Sequence, residues 1–440
     1  CISSLIKYQN EIADAISEDF GHRSKESSLL SDVAGSITSL KMAKENIDKW
    51  TKPEKRKVSP AILGYLGAKL KIEYQPLGTV GVISPWNFPV TLTFGPLGSI
   101  FAAGNRAMIK PSEFTPITSE LMKKMFSEEF SEEEVAVFTG GPDVGEAFSS
   151  LPFDHLLFTG ATSIAKHVMR AASENLVPVT LELGGKSPVI ISDNSNFDVS
   201  VNRIMAGKTL NAGQICLAPD YVFVPEAKKD NFISQSKEII TKMFPTLKEN
   251  PDYTSVINQR HFERLKGYIT EAQEKGAEVI EINPSNEDFD QQPNHKIPPT
   301  LIINPDEDLS VMKEEIFGPV LPVKTYSDIS ETINYINSKD RPLGLYYFGE
   351  DTKEMDSVLK NTTSGGVTIN DVVFHVAQDN APFGGVGPSG TGSYHGIEGF
   401  KNFSHAKTIY TQTKFDSLIN IFRPPYGSKA KNALKMQIKP

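Results

Sequence analysis

Hydrophobic residues near the start of the chain recur with the spacing of a helix. Ile12, Ala15, Ile16 and Phe20 form one apolar stripe, which predicts helices over roughly the first 60 positions. From residue 79 onward the pattern changes to short β-branched runs, each closed by Gly, Pro or Ser. The first runs are TVGVISP at 79–85, RAMIKPS at 106–112, EVAVFTGG at 134–141, HLLFTG at 155–160 and VTLELGG at 179–185.

A second series of such runs follows the Gly-Gly pair at 184–185. It comprises SPVIIS at 187–192, YVFVP at 221–225, TLIINP at 300–305, LPVKTY at 321–326, LGLYYFG at 343–349 and GGVTIN at 365–370. Helix-like stretches such as SELMKKMFSEEF at 119–130 lie between strands of the first series. Strands that alternate with helices are typical of βαβ units and a mainly parallel sheet. We therefore predict an α/β protein with two doubly wound blocks and a hinge near residue 185.

Two further segments alternate apolar and polar residues and lie outside both blocks. They are AKLKIEYQPLG at 68–78 and NFSHAKTIYTQTK at 402–414. This pattern fits strands that project and pair between subunits, and it fits an ordinary edge hairpin equally well.

Composition narrows the class of protein. The 440 residues carry 45 Lys and Arg against 54 Asp and Glu, a formal charge of −9, which argues against a nucleic-acid partner. The sequence has no run of about 18 apolar residues, so no integral membrane anchor is predicted. Its two cysteines, Cys1 and Cys216, are too few for a secreted disulfide scaffold, which makes a cytoplasmic location the default prediction.

Three segments contain residues suited to catalysis. Cys216 in NAGQICLAPDY follows small, flexible residues, and backbone N–H groups at such a turn would help to hold a thiolate. Glu182 in VTLELGGKSP ends an apolar strand, where a carboxyl group with a raised pKa suits a general base. Asn87 in GVISPWNFPV offers an amide N–H for an oxyanion. Each residue alone also fits a structural role: an inert buried thiol, a solvated edge-strand acid and a turn residue.

The signals for a cofactor are weaker. The sequence contains neither G-x-G-x-x-G nor a Walker A motif. In FTGATSIAKHVM at 158–169 a strand ends at Thr159 and Gly160, Ser163 is the predicted cap, and the following helix start suits a pyrophosphate. Lys110 and Glu113 in IKPSEF close another strand, where ribose-binding residues often lie. Each feature also fits a plain βα turn.

Taken together, these segments resemble the aldehyde dehydrogenase superfamily. SPWNFP, KPSE, FTG with a following helix, LELGGKSP, Gly-Gln-x-Cys, EEIFGP and PFGG occur in that order between residues 84 and 387. Within it, GQICLAPDY, FGGVGPSGTGSYHG and RPPY at 423–426 resemble the class 3 branch. EDFGHRS at 18–24, HVAQDNAPFGGVGPSG at 375–390 and YHGIEGF at 394–400 resemble the coniferyl aldehyde dehydrogenases of that branch.

The resemblance implies a role for each matching residue. It makes Cys216 the nucleophile, Glu182 the general base, and Asn87 the oxyanion donor together with the backbone N–H of Cys216. The implied cofactor-binding residues are Trp86, Lys110, Glu113, Thr159, Gly160, Ile164, Glu315 and Phe317. Glu113 favours NAD over NADP because it can bond a free ribose hydroxyl and repel a phosphate, although NADP is possible. No metal is implied. Ala161 and Ala165 depart from the Ser and Gly of many relatives, so a modified phosphate contact is expected.

The resemblance also implies an architecture. It places an NAD(P)-binding domain at 1–66 and 82–185, a catalytic domain at 186–394, projecting oligomerisation strands at 67–81 and 395–415, and a C-terminal tail at 416–440. A homodimer is the implied state. The expected reaction is NAD(P)-dependent oxidation of hydrophobic aldehydes to acids through a Cys thiohemiacetal and thioester. The substrates would be aromatic, such as coniferaldehyde, or medium to long aliphatic aldehydes. A CoA-acylating aldehyde dehydrogenase and a catalytically silent scaffold are the alternatives.

Overall fold

The computed structural model describes residues 1–438. The strands are β1 (Glu54–Arg56), β2 (Lys69–Pro76), β3 (Thr79–Ile83), β4 (Arg106–Lys110), β5 (Val135–Val137), β6 (His155–Thr159), β7 (Val179–Glu182), β8 (Pro188–Ile191), β9 (Tyr221–Pro225), β10 (Glu278–Glu281), β11 (Thr300–Ile303), β12 (Val320–Tyr326), β13 (Gly344–Phe348), β14 (Gly366–Ile369), β15 (Gly390–Thr391) and β16 (Ser404–Thr411).

The α-helices are α1 (Ile2–Lys7), α2 (Gln9–Phe20), α3 (Lys25–Ser28), α4 (Gly35–Trp50), α5 (Ala61–Tyr65), α6 (Thr91–Ala102), α7 (Pro116–Glu129), α8 (Pro142–Ser149), α9 (Thr162–Glu174), α10 (Phe197–Thr209), α11 (Lys229–Met243), α12 (Gln259–Glu274), α13 (Ser310–Lys313), α14 (Ile329–Asn337), α15 (Thr352–Asn361), α16 (Gly396–Asn402), α17 (Asp416–Ile419) and α18 (Ser428–Gln437). A π-helical turn at 29–34 joins α3 to α4.

The first large sheet has six strands in the order β15-β7-β6-β3-β4-β5. All neighbours are parallel except β15, which pairs antiparallel with β7. The amino-terminal helices, α6 and α7 cover one face, while α8 and α9 cover the other. Because both faces are buried, a central strand such as β6 is buried at all five positions.

The second large sheet has seven strands in the order β10-β11-β12-β9-β8-β13-β14. Only β10 runs antiparallel to its neighbour. Helices α10 and α11 pack on one face, and α14 and α15 pack on the other. The predicted α/β fold with two doubly wound sheets is therefore confirmed.

The two outlying segments pair with each other in a third, antiparallel sheet of order β1-β2-β16. Strands β2 and β16 align over eight residues, from Ser404 opposite Pro76 to Thr411 opposite Lys69. Much of both strands is exposed or half-buried, unlike the strands of the large sheets. The pairing between these two segments is thus formed within one chain.

Several boundaries differ from those expected. Residues 79–81, assigned to the projecting strands, belong to β3 of the first sheet, because β3 continues parallel to β4 and β6. Residues 390–391, assigned to the catalytic segment, form β15 and extend the first sheet. Residues 54–56, assigned to the NAD(P)-binding segment, add β1 to the small sheet. Residues 439 and 440 of the predicted tail lie outside the described residues.

The fold brings the strand ends of the first sheet to one edge. Asn87, Lys110, Thr159 and Glu182 follow or end the strands β3, β4, β6 and β7, which run parallel. The carboxyl edge of a parallel sheet is where such folds bind ligands. No helix within residues 1–438 is both long and apolar enough to cross a membrane.

Candidate active site

Cys216 lies in the loop between α10 and β9, which we call the thiol loop (residues 210–220). Asn211, Ala212 and Gly213 all have positive φ values, of 50°, 51° and 73°, so the chain reverses in a left-handed turn before the cysteine. A Cβ at Gly213 would collide with the carbonyl oxygen of Gly318. Glycine is therefore required here, and the turn can press against the neighbouring segment.

Gln214 anchors this turn from the inside. Its Nε2 donates to the carbonyl oxygens of Asn211 at 3.0 Å and Ser255 at 2.9 Å, and its Oε1 accepts from the N–H of Ile257 at 3.0 Å. Because Gln214 is fully buried, these bonds face no competition from water. The half-buried Cys216 is thus presented from a fixed backbone.

The structure places the Asn87 side chain against the thiol loop. Asn87 is 3% exposed, and its Nδ2 donates to the carbonyl oxygen of Gln214 at 3.1 Å. An amide nitrogen carries two N–H groups, so this bond leaves a second donor on Asn87. The carbonyl oxygen of Asn87 accepts from Asn211 at 3.2 Å and from Arg23 at 2.8 Å.

Glu182 ends β7 inside the protein. It is 2% exposed, and neither carboxylate oxygen has a hydrogen-bond partner among residues 1–438. Burial raises the pKa of Glu182 well above its ordinary value. Its backbone is held on both sides, by β6 and by Gly390 of β15. A buried, unpaired carboxyl group on a rigid strand can take a proton from water or a thiol.

The environment of Cys216 disfavours its thiolate form. Burial raises the pKa of Cys216 well above its ordinary value, and the carboxylates of Glu182 and Glu315 raise it further. The backbone N–H groups of Cys216 and Leu217 oppose the rise. Two carboxylates and two backbone N–H groups therefore act on the pKa of this one thiol, in opposite directions.

Glu315 lies just after α13, close to the Gly-Gly pair that follows Glu182. Burial raises the pKa of Glu315 to about 8, while the N–H of Gly185 opposes the rise. Its Oε1 has no hydrogen-bond partner in the described part of the chain. A Cβ at Gly184 would collide with the Glu315 carboxylate, so only glycine permits this approach. An unpaired carboxylate oxygen is suited to accept a ligand hydroxyl.

An ion pair fastens the Glu315 segment to the thiol loop. Lys186 Nζ contacts Asp220 Oδ1 and donates to the carbonyl oxygens of Val311 at 2.8 Å and Glu314 at 2.9 Å. Asp220 Oδ2 accepts from the N–H of Ile316 at 2.9 Å. The residue after Glu315 is therefore held directly by the loop that carries Cys216.

The other predicted cofactor residues lie near this edge to different degrees. Lys110 is buried, and its Nζ is 3.4 Å from Glu113 Oε2. The ring centroids of Trp86 and Phe317 are 5.3 Å apart, so these two segments also meet.

At the end of β6, Thr159 is buried, and the N–H of Gly160 donates to the carbonyl oxygen of Glu182 at 3.1 Å. Ile164 is 52% exposed on the first turn of α9. The predicted cap at Ser163 is wrong, because α9 begins at Thr162 and Ala161 is its N-cap without a side-chain bond.

Several residues that hold the site were not identified from the sequence. Arg23, Asp32, Gln214 and Asp220 act through contacts with segments far along the chain; Arg23, for example, bonds Asn87, 64 positions later. The only signal was that EDFGHRS and GQICLAPDY stood out as motifs without an assigned chemical reason.

Comparison with known sequences identifies the family. A model of the "Aldehyde dehydrogenase family" matches residues 2–409. The chain is 61% identical to a "Probable coniferyl aldehyde dehydrogenase" of Caulobacter vibrioides, over 100% of this chain and 91% of that protein. It is 54% identical to the "Coniferyl aldehyde dehydrogenase" of a Pseudomonas species, over 97% of this chain and 88% of that protein.

Solved structures agree with the sequences. A substrate-bound Staphylococcus aureus AldH superposes with a TM-score of 0.92 at 37% identity, over 100% of this chain and 93% of that one. A Mycobacterium tuberculosis aldehyde dehydrogenase complexed with NAD+ gives 0.83 at 26% identity, over 94% and 84% of the two chains. The fold, the matched length and these relatives together show that the chain belongs to the aldehyde dehydrogenase family and is an oxidoreductase that acts on aldehydes with a nicotinamide coenzyme.

Proposed function

We propose that the chain oxidises coniferaldehyde and related aromatic aldehydes to carboxylic acids, with Cys216 as nucleophile, Glu182 as general base and NAD as coenzyme. The observation that carries the chemistry is that the buried Glu182 carboxylate has no hydrogen-bond partner among the described residues, at the sheet edge where Asn87 Nδ2 bonds the thiol loop at 3.1 Å. The substrate class is supported by relatives with 54% and 61% identity whose names specify coniferyl aldehyde.

The first half-reaction forms the thioester. The Cys216 thiol loses its proton to solvent, and its sulfur bonds to the aldehyde carbon to give a thiohemiacetal. The Asn87 amide and the N–H of Cys216 donate to the new oxyanion, and such a donor is typically worth about 3–4 kcal/mol. Bound nicotinamide supplies the hydride acceptor. Loss of hydride leaves an acyl group on Cys216.

The second half-reaction releases the acid. Glu182 removes a proton from water, and the hydroxide attacks the thioester carbonyl under the same oxyanion donors. Sulfur leaves as the thiolate and takes up the proton that Glu182 removed from water, which restores both groups. The oxygens of Glu182 suit this role, because no hydrogen-bond partner within residues 1–438 holds them away from a water molecule.

The residues present fit a dinucleotide at the carboxyl edge of the first sheet. Glu315, whose Oε1 lacks a hydrogen-bond partner among the described residues, would accept a ribose hydroxyl, and Phe317 packs against Trp86 nearby. Lys110 and Glu113 would bind the second ribose, and Thr159, Gly160 and Ile164 would flank the phosphates and adenosine. Glu113 makes NAD the preferred coenzyme, since its carboxylate repels a 2′-phosphate.

The direct test is coenzyme reduction with coniferaldehyde and with hexanal. Native protein should reduce NAD with both aldehydes, faster with coniferaldehyde, and Cys216→Ala should abolish both rates. The acid product is measured separately by chromatography because coniferaldehyde itself absorbs light. A requirement for CoA would instead establish the acylating reaction. Coenzyme binding without turnover of either aldehyde would overturn the proposed function.

We further propose that the small sheet joins two copies into a homodimer. The outer edge of β16 has no neighbouring strand within the described chain, and an unpaired edge of eight residues is a ready template for another chain. Light scattering should give twice the mass of one chain, and Thr408→Pro on β16 should yield monomers. A native monomer would contradict the dimer.

A cytoplasmic location stays a prediction.

A further inference from the structure

The motif EDFGHRS at 18–24 has no part in the chemistry described so far. We propose that Arg23, paired with Asp32, is a positioning residue that fixes the Asn87 amide relative to the thiol loop and so sets the geometry of the oxyanion site. This role rests on the proposed function of Asn87 as an oxyanion donor.

The two charges form a fully buried pair behind Asn87. Both side chains are 0% exposed, and Arg23 Nη2 lies 2.9 Å from Asp32 Oδ2. The other terminal nitrogen, Nη1, donates to the carbonyl oxygen of Asn87 at 2.8 Å. The guanidinium also lies over the Phe88 ring, 4.8 Å from its centroid. The planar fork of arginine therefore binds Asp32 and Asn87 at once, which a lysine ammonium would do with poorer geometry.

Asp32 holds the far end of the same segment. Its Oδ1 accepts from the N–H groups of Val90 at 3.1 Å and Thr91 at 3.3 Å, where α6 begins. The pair thus grips the backbone on both sides of Phe88 and Pro89. Rotation of the Asn87 side chain is then limited by a backbone fixed at two points.

The neighbouring residue of the motif reaches the thiol loop. The carbonyl oxygen of His22 accepts from the N–H of Ser255 at 2.9 Å, and the carbonyl oxygen of Ser255 accepts from Gln214 Nε2 at 2.9 Å. Asn87 Nδ2 donates to the carbonyl oxygen of the same Gln214. Four hydrogen bonds therefore link Arg23, Asn87, Gln214, Ser255 and His22 in turn, and the peptide bond between His22 and Arg23 closes the ring.

Stability alone does not account for this pair. Replacing a buried ion pair by apolar residues is often neutral or stabilising, because the desolvation of two charges offsets their attraction. What the pair supplies is three hydrogen bonds that fix the backbone of residues 87–91, the segment that carries Asn87. A misplacement of about 1 Å in an active site can slow a reaction about 100-fold.

The test removes both charges together. In the double variant Arg23→Met, Asp32→Asn, methionine retains an aliphatic chain, and asparagine retains an acceptor for Val90 and Thr91. We expect the burst of coenzyme reduction to slow about 10- to 100-fold, with the KM for NAD unchanged. Arg23→Lys, which keeps the charge and loses the fork, should slow the burst in the same direction and serves if the double variant does not fold.

The decisive comparison repeats the substitutions in an Asn87→Ala background. If Arg23 acts through Asn87, the burst of that background slows by less than about 2-fold on further substitution. Asp19→Ala is the control, because Asp19 belongs to the same motif but binds Ile117 and Thr118 at the start of α7. It should lower the melting temperature without changing the burst in either background.

The outcomes distinguish a failure of the oxyanion role of Asn87 from a failure of the positioning role of Arg23. An unchanged burst in Asn87→Ala would overturn the oxyanion role and, with it, the role of Arg23. A slow burst in Asn87→Ala that slows again by the full factor on substitution of Arg23 would overturn the positioning role alone. An Asp19→Ala burst as slow as that of the Arg23 variants would also overturn it, since any damage to the motif would then suffice.

Discussion

At the scale of single residues, the site is built around ionisable groups whose pKa values are raised above their ordinary values. Cys216, Glu182 and Glu315 all have raised pKa values, and in each the largest cause is burial. In each group, burial thus favours the neutral form over the charged form. It also couples the groups, since each carboxylate raises the pKa of the thiol.

Because the Glu182 carboxylate raises the pKa of the Cys216 thiol, Glu182→Gln should make the thiol easier to alkylate but should slow aldehyde turnover. Removing the carboxylate lowers the pKa of the thiol, so alkylation by iodoacetamide should reach its half-maximal rate at a lower pH. Steady-state aldehyde turnover should fall, because thioester hydrolysis has lost its base. The pH profile of alkylation measures the first effect.

Glu314→Gln is the matched control for that profile. Glu314 precedes Glu315 in the chain but is exposed and bonds the Tyr268 hydroxyl at 2.6 Å. Its substitution should leave the alkylation profile in place. An equal shift in both variants would mean that net charge, and not the position of Glu182, controls the thiol.

At the scale of elements, helix α9 starts without a cap. Ala161 occupies the N-cap position with extended backbone angles of φ −70° and ψ 139°, and it is exposed. Ala161→Ser supplies a hydroxyl that can accept from the first turn, which should stabilise the protein by about 1 kcal/mol. Denaturant unfolding checks this. A midpoint unchanged from the native protein would mean that the helix start is already satisfied.

A second prediction at the scale of elements concerns the Lys186–Asp220 ion pair, which joins the Glu315 segment to the thiol loop. Asp220→Asn removes the charge that faces Lys186 and weakens the hold on Ile316. Because a charged hydrogen bond contributes about 1.5–3 kcal/mol, the KM for NAD should rise about 10-fold or more. Hydrolysis of p-nitrophenyl acetate, which needs no coenzyme, should be nearly unchanged.

Glu307→Gln breaks a half-exposed contact with Lys324 and serves as the control for Asp220. It should change neither reaction. Equal loss of both reactions in Asp220→Asn would show that the thiol loop itself had moved.

The local pattern of hydrophobic residues predicted most of the strands but not all of the pairings between them. The β-branched runs gave all eleven strands of the two large parallel series, because a strand buried on both faces must be apolar throughout. The pattern could not assign 79–81 or 390–391 to a sheet, since pairing partners are distant in sequence. In the site, the resemblance gave Cys216, Glu182 and Asn87. Arg23 and Asp220 remained unassigned because a charged residue in a local window looks solvated.

At the scale of the whole molecule, the site makes folding depend on pH. The pKa of Glu182 is raised above its unfolded value near 4.5, so the folded state binds more protons and loses stability as pH rises from about 4.5 toward the folded pKa. Glu182→Gln removes this dependence. The gain in unfolding free energy of the variant over the native protein should therefore be larger at pH 8 than at pH 5.

Urea unfolding at the two pH values measures that gain. Glu134→Gln, on an exposed residue at the start of β5, controls for removal of a carboxylate elsewhere. A gain for Glu182→Gln that is the same at pH 5 and pH 8 would mean that Glu182 is not buried as a carboxylate in solution.

The central claim is that Cys216 carries the acyl group and that Glu182 releases it. The most direct measurement is peptide mass spectrometry of Glu182→Gln protein quenched after mixing with coniferaldehyde and NAD. The account predicts one coenzyme reduced per site, followed by a stall, and an acyl adduct confined to the peptide that contains Cys216. Continued turnover without an adduct, or an adduct on another residue, would contradict it.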